Sequence, residues 1–315
     1  MGDVVERRTS GLKAPVLLLT GHEGEVYCVE FSSDGQLLAS GGKDKNVFLF
    51  EVYGECRNIG VLSGHKNAIL ELHWGANGEN LYCCSADHCA SLWDVEYQRR
   101  LIKYVGHTGI VNSCYPARSV VGGMLVTGAD DGTVKVWDHR SKRPVKSLEH
   151  DFQILSVCCE PSGERFFCGS LDNTIRVYDN RSDKELFKLE GCTDSVTSLD
   201  LNHDGTLLLS NSMDSRLVVW DVQPFCTESS RVKTALFGPT HSAEKNLIRA
   251  RWGNGTIISS GSADRFVYIL DTKDNKLLYQ LPGHLGSVNE VVLHPTEPIV
   301  ASASSDKCVY LGELL

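Results

Sequence analysis

A histidine, a hydroxyl side chain and an aspartate occur together in the chain as His107, Thr127 and Asp131. In hydrolases these residue types activate the hydroxyl as a nucleophile. The same three types return at similar spacing in another part of the chain, at His22, Ser40 and Asp44. An active site need not recur, whereas a structural network recurs with every repeat. We therefore interpret the trio as structural and predict no catalytic residues.

Other signatures of chemistry are equally weak. The sequence has no GxSxG elbow, no glycine-rich phosphate loop and no HExxH motif. The nearest approach to a zinc site is His88 between Cys84 and Cys89, and its spacing is poor. We expect a non-enzymatic protein without a metal or cofactor.

The elements that would position these side chains form an internal repeat. The dipeptide Trp-Asp occurs at Trp93-Asp94, Trp137-Asp138 and Trp220-Asp221, with weaker counterparts at Phe50, Tyr178, Leu270 and Gly312. The seven positions are 41 to 50 residues apart. An aspartate lies six residues before each one, at Asp44, Asp87, Asp131, Asp172, Asp214, Asp264 and Asp306. The period indicates seven copies of one supersecondary unit.

Each repeat has the pattern of short strands joined by tight turns. In the first repeat, residues 25–31 and 37–40 are rich in β-forming side chains and flank the turn Asp34-Gly35. Such runs around Asp-Gly or Asn-Gly are typical of hairpins. No long helical periodicity competes with them, so the pattern predicts an all-β fold.

The repeat marks resemble those of the WD-repeat family. Gly-His precedes the first strand at Gly21, Gly64, Gly106 and Gly283, with His150, Cys192 and His241 at the matching places of the other repeats. The resemblance implies an all-β, seven-bladed WD40 β-propeller, each blade a four-stranded antiparallel sheet. We expect one domain over residues 15–315 after a flexible tail, residues 1–14. The apolar strand Val16–Leu19 is expected to complete the last blade, since an open edge is an aggregation hazard.

In this family the histidine, the hydroxyl residue, the aspartate and the tryptophan form one buried hydrogen-bonded chain. The resemblance places a complete structural network only in the third repeat, at His107, Thr127, Asp131 and Trp137. Elsewhere a member is replaced: Cys83 and Cys168 stand for the hydroxyl, Cys192 for the histidine, and Phe50, Leu270 and Gly312 for the tryptophan.

Composition limits the cellular roles. The net charge of −9 argues against binding duplex nucleic acid by phosphate neutralisation. Twelve cysteines without a CxxC motif indicate reduced thiols in an intracellular protein. Residues 1–14 lack the apolar core of a signal peptide, and no run of 18 apolar residues exists. We expect a soluble protein that does not bind membranes.

Within the family, several segments resemble the WD-repeat subunits of the spliceosomal U5 small nuclear ribonucleoprotein. The more discriminating ones are residues 112–118 and the junction of repeats 5 and 6. The resemblance implies a nuclear scaffold in pre-mRNA splicing. It would be a monomeric propeller that binds large U5 snRNP splicing factors, without sequence-specific nucleic acid recognition.

An alternative role comes from two arginines. Arg140 and Arg181 each lie two residues after the aspartate of a Trp-Asp or Tyr-Asp pair. This placement resembles the motif by which WD-repeat substrate receptors dock onto adaptors of cullin-4 ubiquitin ligases. The structural alternative is an exposed arginine that pairs with a nearby acid.

The fold also predicts a partner-binding face. In this family, residues near the start of each first strand and before each turn aspartate look towards one face around the channel. The candidates are Tyr27, Lys43, Leu70, Asn112, Asp130, Leu171, Met213, Ile248 and Asn289. The alternative is that they fill the channel. Tyr27 is the strongest candidate, and the long interval at residues 224–246 is the next surface to consider.

Overall fold

Strands account for all of the regular secondary structure in the part of the chain that the structure describes. The computed structural model describes residues 10–117, 123–182, 184–226, 230–242 and 246–314. Within these ranges, 28 strands form seven four-stranded antiparallel sheets. The all-β, seven-bladed prediction is confirmed. Residues 1–9 of the predicted tail, and residues 227–229 and 243–245 of the long interval, lie outside the described residues.

The sheets follow one another as blades around a ring. The first strand of the chain is β1 (Val16–Leu19). Blade 1 has β2 (Val26–Phe31), β3 (Leu37–Gly42), β4 (Asn46–Glu51) and β5 (Asn58–Ser63). Blade 2 has β6 (Ile69–Trp74), β7 (Asn80–Ser85), β8 (Cys89–Asp94) and β9 (Arg99–Val105). Blade 3 has β10 (Val111–Ala117), β11 (Met124–Ala129), β12 (Thr133–Asp138) and β13 (Lys146–Glu149).

The remaining blades repeat this order. Blade 4 has β14 (Ile154–Cys159), β15 (Arg165–Ser170), β16 (Ile175–Asp179) and β17 (Glu185–Leu189). Blade 5 has β18 (Val196–Leu201), β19 (Leu207–Ser212), β20 (Arg216–Asp221) and β21 (Val232–Phe237). Blade 6 has β22 (Ala250–Trp252), β23 (Ile257–Ser260), β24 (Val267–Asp271) and β25 (Lys276–Leu281). Blade 7 has β26 (Val288–Leu293), β27 (Ile299–Ser304) and β28 (Val309–Glu313), followed by β1.

The ring closes through the N-terminal strand, as predicted. β1 pairs antiparallel with β28, from Val16 opposite Gly312 to Leu19 opposite Val309. Residues 10–14 of the predicted tail also contact the propeller. Leu12 is buried in the core, and the Ser10 N–H donates to Glu313 Oε1 at 2.7 Å. The domain boundary at residue 15 stays a prediction.

The hydrophobic core lies between neighbouring blades rather than in one central mass. The first three strands of each blade are mostly buried, and the fourth strand is mostly exposed or partly exposed, as in β9. Trp137, Trp220, Phe166 and Phe167 are among the largest fully buried side chains. Each sheet thus covers the apolar face of the next one, which makes the ring a single cooperative unit.

The turns joining first and second strands require left-handed backbone. Gly35 has φ +71°, and a Cβ at this position would lie 2.1 Å from His294 Nε2. The Gly35 carbonyl also lies 3.0 Å from that ring nitrogen. Only glycine permits this approach between blades 1 and 7.

Repeat 6 differs from the sequence prediction. Gly238 has φ +150°, close to the values of Gly21, Gly64, Gly191 and Gly283, so Pro239 occupies the histidine place. The assignment of His241 to that place was wrong. His241 instead lies near blade 5, with Nε2 3.2 Å from Asn211 Oδ1. The insertion shifts the spacing, and Tyr268 takes over the contact with the turn aspartate by donating to Asp264 Oδ2 at 2.6 Å.

Two further features concern the whole chain. All twelve cysteines are free of disulfides, and nine of them are buried. The described residues contain no helix of the length and hydrophobicity needed to cross a bilayer.

Candidate protein-binding face and its supporting networks

The complete network of blade 3 is a continuous hydrogen-bonded chain. Trp137 Nε1 donates to Thr127 Oγ1 at 2.9 Å, and His107 Nε2 lies 2.7 Å from the same oxygen. His107 Nδ1 lies 3.0 Å from Asp131 Oδ2. An ionised carboxylate only accepts hydrogen bonds, so Nδ1 carries the imidazole proton and Nε2 accepts from Thr127.

The charge states of the pair follow from burial and hydrogen bonding. Burial opposes ionisation of Asp131, but bonds from the Thr133 hydroxyl and the Thr108 N–H, together with His107, outweigh it and lower the pKa to about 2. Burial lowers the pKa of His107. The contact at pH 7 is therefore a hydrogen bond from a neutral imidazole to an ionised carboxylate.

This network positions loops rather than a substrate. Asp131 accepts the Thr108 N–H at 2.9 Å and the Thr133 N–H at 3.0 Å, which ties the loop entering blade 3 to the turn after its second strand. Thr127 is fully buried. A hydroxyl without access to a substrate cannot act as a nucleophile, so the arrangement is a structural clamp.

Other blades contain variants of the same clamp. In blade 1, His22 lies 2.7 Å from both Asp44 Oδ2 and Ser40 Oγ. In blade 2, the Cys83 sulfur takes the place of the hydroxyl oxygen: Trp93 Nε1 donates to it at 3.2 Å, and His65 Nε2 lies 3.3 Å away. The cysteine that the sequence marks as a departure therefore completes the chain of contacts.

The clamps fix one end of the ring, which we call the upper face. It carries the loops that enter each blade and the turns after each second strand, including Lys43, Asp130, Leu171 and Met213. The opposite lower face carries the other turns, including those of Arg140 and Arg181.

Six of the nine partner-binding candidates present surface on the upper face. Lys43, Asp130 and Leu171 are exposed, and Tyr27, Leu70 and Met213 are partly exposed. Tyr27 donates its hydroxyl to Glu25 Oε2 at 2.5 Å, and Lys43 Nζ lies 3.7 Å from the same oxygen. These three residues form one cluster beside the channel.

The other three candidates are buried between blades and therefore do not belong to the candidate surface. Asn112 donates to the Ile154 carbonyl of the next blade at 2.9 Å and to Asp130 Oδ1 at 2.7 Å. Asn289 donates to the Val26 carbonyl at 2.7 Å. Ile248 is 1% exposed. Asn112 and Asn289 lie at the bulges near the start of β10 and β26, where their side-chain amides reach the neighbouring blade.

The channel contains a buried ion network that the sequence did not predict. Arg249 Nη1 lies 2.5 Å from Glu71 Oε1, and Arg251 Nε lies 2.6 Å from Glu290 Oε1. Arg251 Nη2 also reaches Glu71 Oε1 at 3.3 Å. Burial opposes ionisation of Glu71, but Arg249 and its other partners hold the pKa of Glu71 well below its usual range.

Polar side chains of the first strands also accept hydrogen bonds from backbone N–H groups of the neighbouring blade. The first strand of each blade borders the channel, so some of its N–H groups have no strand to bond with. Glu71 Oε2 accepts the Cys114 N–H at 2.8 Å, Ser113 Oγ accepts the Val157 N–H at 2.9 Å, and Ser198 Oγ accepts the Ala250 N–H at 3.0 Å. In each case the third residue of a first strand bonds the next blade. The signal in the sequence was a polar residue in the middle of an apolar strand.

One group of residues in the described part of the chain brings metal-ligating atoms together. Glu71, Cys84 and Cys114 have ligand atoms within 4.8 Å of one another. The Glu71 carboxylate is already paired with two arginines, and burial raises the pKa of the Cys114 thiol. A divalent cation requires the thiolate and would face the arginine charge, so the group does not fit a metal site.

Comparison with known proteins identifies the repeat. The family model described as "WD domain, G-beta repeat" matches residues 13–51, 56–94, 98–138, 142–179, 183–221 and 275–311. The chain belongs to the WD40 family. The segment between residues 221 and 275, which contains His241 and Pro239, is the longest part of the propeller outside the matched ranges.

Three relatives align with nearly the whole WD40 chain. The U5 small nuclear ribonucleoprotein 40 kDa protein of Homo sapiens is 48% identical over 98% of this chain and 86% of its own length. Its Dictyostelium discoideum counterpart is 44% identical over the same shares. The pre-mRNA-splicing factor cwf17 of Schizosaccharomyces pombe is 38% identical over 98% of this chain and 91% of its own length.

The arginines of the alternative WD40 role lie on the lower face. The Arg140 side chain is 78% exposed, with Nη2 2.7 Å from Asp138 Oδ2. The Arg181 side chain is 79% exposed, with Nη2 2.5 Å from Glu164 Oε1. Both arginines thus have an acidic partner within the chain. Docking onto a ligase adaptor stays a prediction.

Proposed function

We propose that this WD40 protein is a non-enzymatic scaffold of a U5 small nuclear ribonucleoprotein and acts in pre-mRNA splicing in the nucleus. The observation that carries the proposal is the alignment with splicing proteins, at 38–48% identity over 98% of the chain. An alignment of that extent includes all seven blades and both faces of the ring.

The exposed side chains of the upper face are suited to binding a protein partner. Tyr27 and Met213 are partly exposed, and Leu171 is 40% exposed. Tyrosine and methionine side chains are frequent anchors of protein interfaces. The rigid clamps beneath the loops keep the entropy cost of binding low, because the loops are already ordered. We infer that large protein subunits of the particle bind this face.

The residues with catalytic character are already engaged in structure. The blade 3 hydroxyl, Thr127, is fully buried, and Glu71 and Glu290 neutralise arginines in the channel. The net charge of −9 favours contacts with protein over contacts with the phosphates of a duplex.

Sedimentation of nuclear extract through a glycerol gradient tests this assignment. The tagged full-length protein is expected to sediment with U5 small nuclear RNA, far ahead of a free 35 kDa propeller. The tagged protein sedimented without extract serves as the control and marks the position of the free propeller. Sedimentation at the free position, or with cullin-4 and its adaptor, would contradict the assignment.

A further inference from the structure

Exposed charges on the upper face are separated by sign. The described loops and turns of blades 3 to 5 carry the exposed acids Asp130, Asp151, Glu190 and Asp194, and no exposed lysine or arginine. Blades 6, 7, 1 and 2 carry the exposed bases Lys43, Lys45, Lys66, Arg265 and Lys307. Among the described loops and turns of the basic side, Glu23 is the exposed acid, and the partly exposed Glu25 pairs with Lys43. Among the described loops and turns of this face, those of three of the seven blades thus carry exposed charges of negative sign only.

Apolar side chains lie among these acids. Phe152 is 48% exposed, Leu171 is 40% exposed and Met213 is partly exposed. Phenylalanine and methionine are enriched at protein interfaces. We call Asp130, Asp151, Phe152, Leu171, Asp194 and Met213 the acidic sector.

Backbone contacts make the acidic sector one continuous surface. The His150 N–H donates to the Gly132 carbonyl at 2.8 Å, which joins the turn of blade 3 to the loop before Phe152. The Leu171 N–H donates to the Gln153 carbonyl at 3.0 Å. Ser195, next to Asp194, contacts the turns of two blades.

The two contacts of Ser195 continue the chain. Its hydroxyl donates to the Leu171 carbonyl at 3.4 Å, and its carbonyl accepts the Met213 N–H at 2.9 Å. The sector therefore runs without interruption from blade 3 to blade 5. Its loops are fixed to one another and present a preformed surface.

We propose that the acidic sector binds an extended partner segment that combines lysine or arginine residues with large apolar residues on one face. Because side chains of an extended segment alternate between two faces, residues of one face recur at every second position. Such a segment places its apolar side chains on Phe152, Leu171 and Met213 and its cations beside the acids. The apolar contacts supply affinity, and the charges supply orientation and selectivity against acidic segments. The inference rests on the proposed function for the source of the segment, a splicing subunit.

A pair of labelled peptides tests the chemistry without any splicing protein. One peptide repeats the sequence Lys-Lys-Leu-Leu, so that each face of the extended chain carries both residue types. The other peptide has glutamate in place of every lysine, and fluorescence anisotropy measures binding of both to the full-length protein. We expect the lysine peptide to bind at least tenfold more tightly, with an affinity that falls as salt is raised. Equal binding of the two peptides would overturn the proposal.

Two matched double variants locate the binding site. Asp151→Lys with Asp194→Lys reverses the acidic sector, and Lys45→Glu with Lys66→Glu reverses two bases of the opposite side. The first is expected to lose at least tenfold in affinity for the lysine peptide, and the second to change less than twofold. The aspartate double variant raises the net charge from −9 by four units, and the lysine double variant lowers it by four units. If the lysine double variant bound the lysine peptide more tightly than the wild type, net charge alone would govern binding and the proposal would be overturned.

A further variant tests the apolar anchor and the connection to splicing. Phe152→Ser leaves every charge in place. It is expected to weaken binding of the lysine peptide by about the same factor as Asp151→Lys with Asp194→Lys, with an unchanged melting temperature. Unchanged affinity would contradict the anchor. If the wild type sediments with U5 RNA while the peptides show no preference, this inference fails and the proposed function stands. If the lysine peptide binds the acidic sector while the wild type does not sediment with U5 RNA, this inference stands and the proposed function fails.

Discussion

The carboxylate of Glu290 in blade 7 accepts the backbone N–H of Val29 in blade 1 at 2.9 Å, across the seam where the ring closes. The two residues are 261 positions apart in the chain. Asn289 crosses the same seam to the Val26 carbonyl. β1 closes blade 7 at its outer edge, so the ring is joined at the channel and at the rim.

Removing the outer closure should destabilise the whole protein. Deletion of residues 1–20 takes away β1 and exposes the backbone of β28 as an unpaired edge. We expect a large drop in melting temperature and aggregation at micromolar concentration. Deletion of residues 1–9 alone is the control and should leave the melting temperature nearly unchanged. Equal melting of all three proteins would contradict the closure.

Removing the inner acid should be costly for a different reason. Glu290→Ala leaves Arg251 without its closest carboxylate in the channel, and breaking a buried ion pair costs about 3–5 kcal/mol. Glu290→Gln keeps an acceptor for Val29 and should cost less. Urea unfolding measures both variants. A loss below about 1 kcal/mol for the alanine variant would show that the pair adds little.

The blade 3 clamp should contribute more stability than the blade 1 clamp. Asp131→Ala leaves buried donors unpaired, at a cost of about 1–3 kcal/mol. Asp131 accepts the backbone N–H groups of Thr108 and Thr133 at 2.9 and 3.0 Å. Asp44 accepts those of Glu23 and Asn46 at 3.3 Å. In addition, Phe50 has no indole N–H to donate to the blade 1 network. Asp44→Ala should therefore lose less. Equal losses in urea unfolding would contradict this order.

The same comparison has a defined pH dependence. The pKa of Asp131 is about 2 in the folded protein, below its ordinary value of 3.8. A carboxyl whose folded pKa is lowered contributes stability above the unfolded pKa and loses it as pH falls through the folded one. The stability difference between wild type and Asp131→Ala should be constant above about pH 5 and shrink between pH 4 and 2. A difference that stays constant down to pH 2 would contradict the shift.

The Tyr27 and Lys43 cluster tests the upper face as an interface. Tyr27→Ala with Lys43→Glu removes a partly exposed ring and reverses an exposed charge. We expect weaker capture of large splicing subunits, with a melting temperature within a few degrees of wild type. Tyr27→Phe is the control, since it keeps the ring and loses only the bond to Glu25. Full capture by the double variant would place the interface on another surface, with residues 224–246 next to test.

The repeat made the blades predictable, whereas contacts between distant repeats were not. Seven turn aspartates and the short strands around them define each sheet from nearby residues. Glu71 and Arg249 are 178 positions apart, and only the closed ring brings them to 2.5 Å. A polar residue within a strand reveals burial of a charge only when its partner is known. The channel network therefore required the structure.

Repeat 6 shows how an insertion defeats a spacing argument. The histidine nearest to the expected position, His241, was assigned to the clamp, but the backbone at Gly238 places Pro239 there. Three of the nine partner candidates are buried for a related reason. A position in a first strand does not tell whether its side chain faces solvent or bonds the next blade, as Asn112 and Asn289 do.

The most direct test of the splicing assignment is affinity capture of the tagged full-length protein from nuclear extract, followed by quantitative mass spectrometry. We expect protein subunits of the U5 particle to be the most enriched species, together with U5 RNA, and the Arg140→Ala and Arg181→Ala double variant to capture them equally well. Enrichment of cullin-4 and its adaptor that depends on these arginines, without splicing proteins, would contradict the assignment.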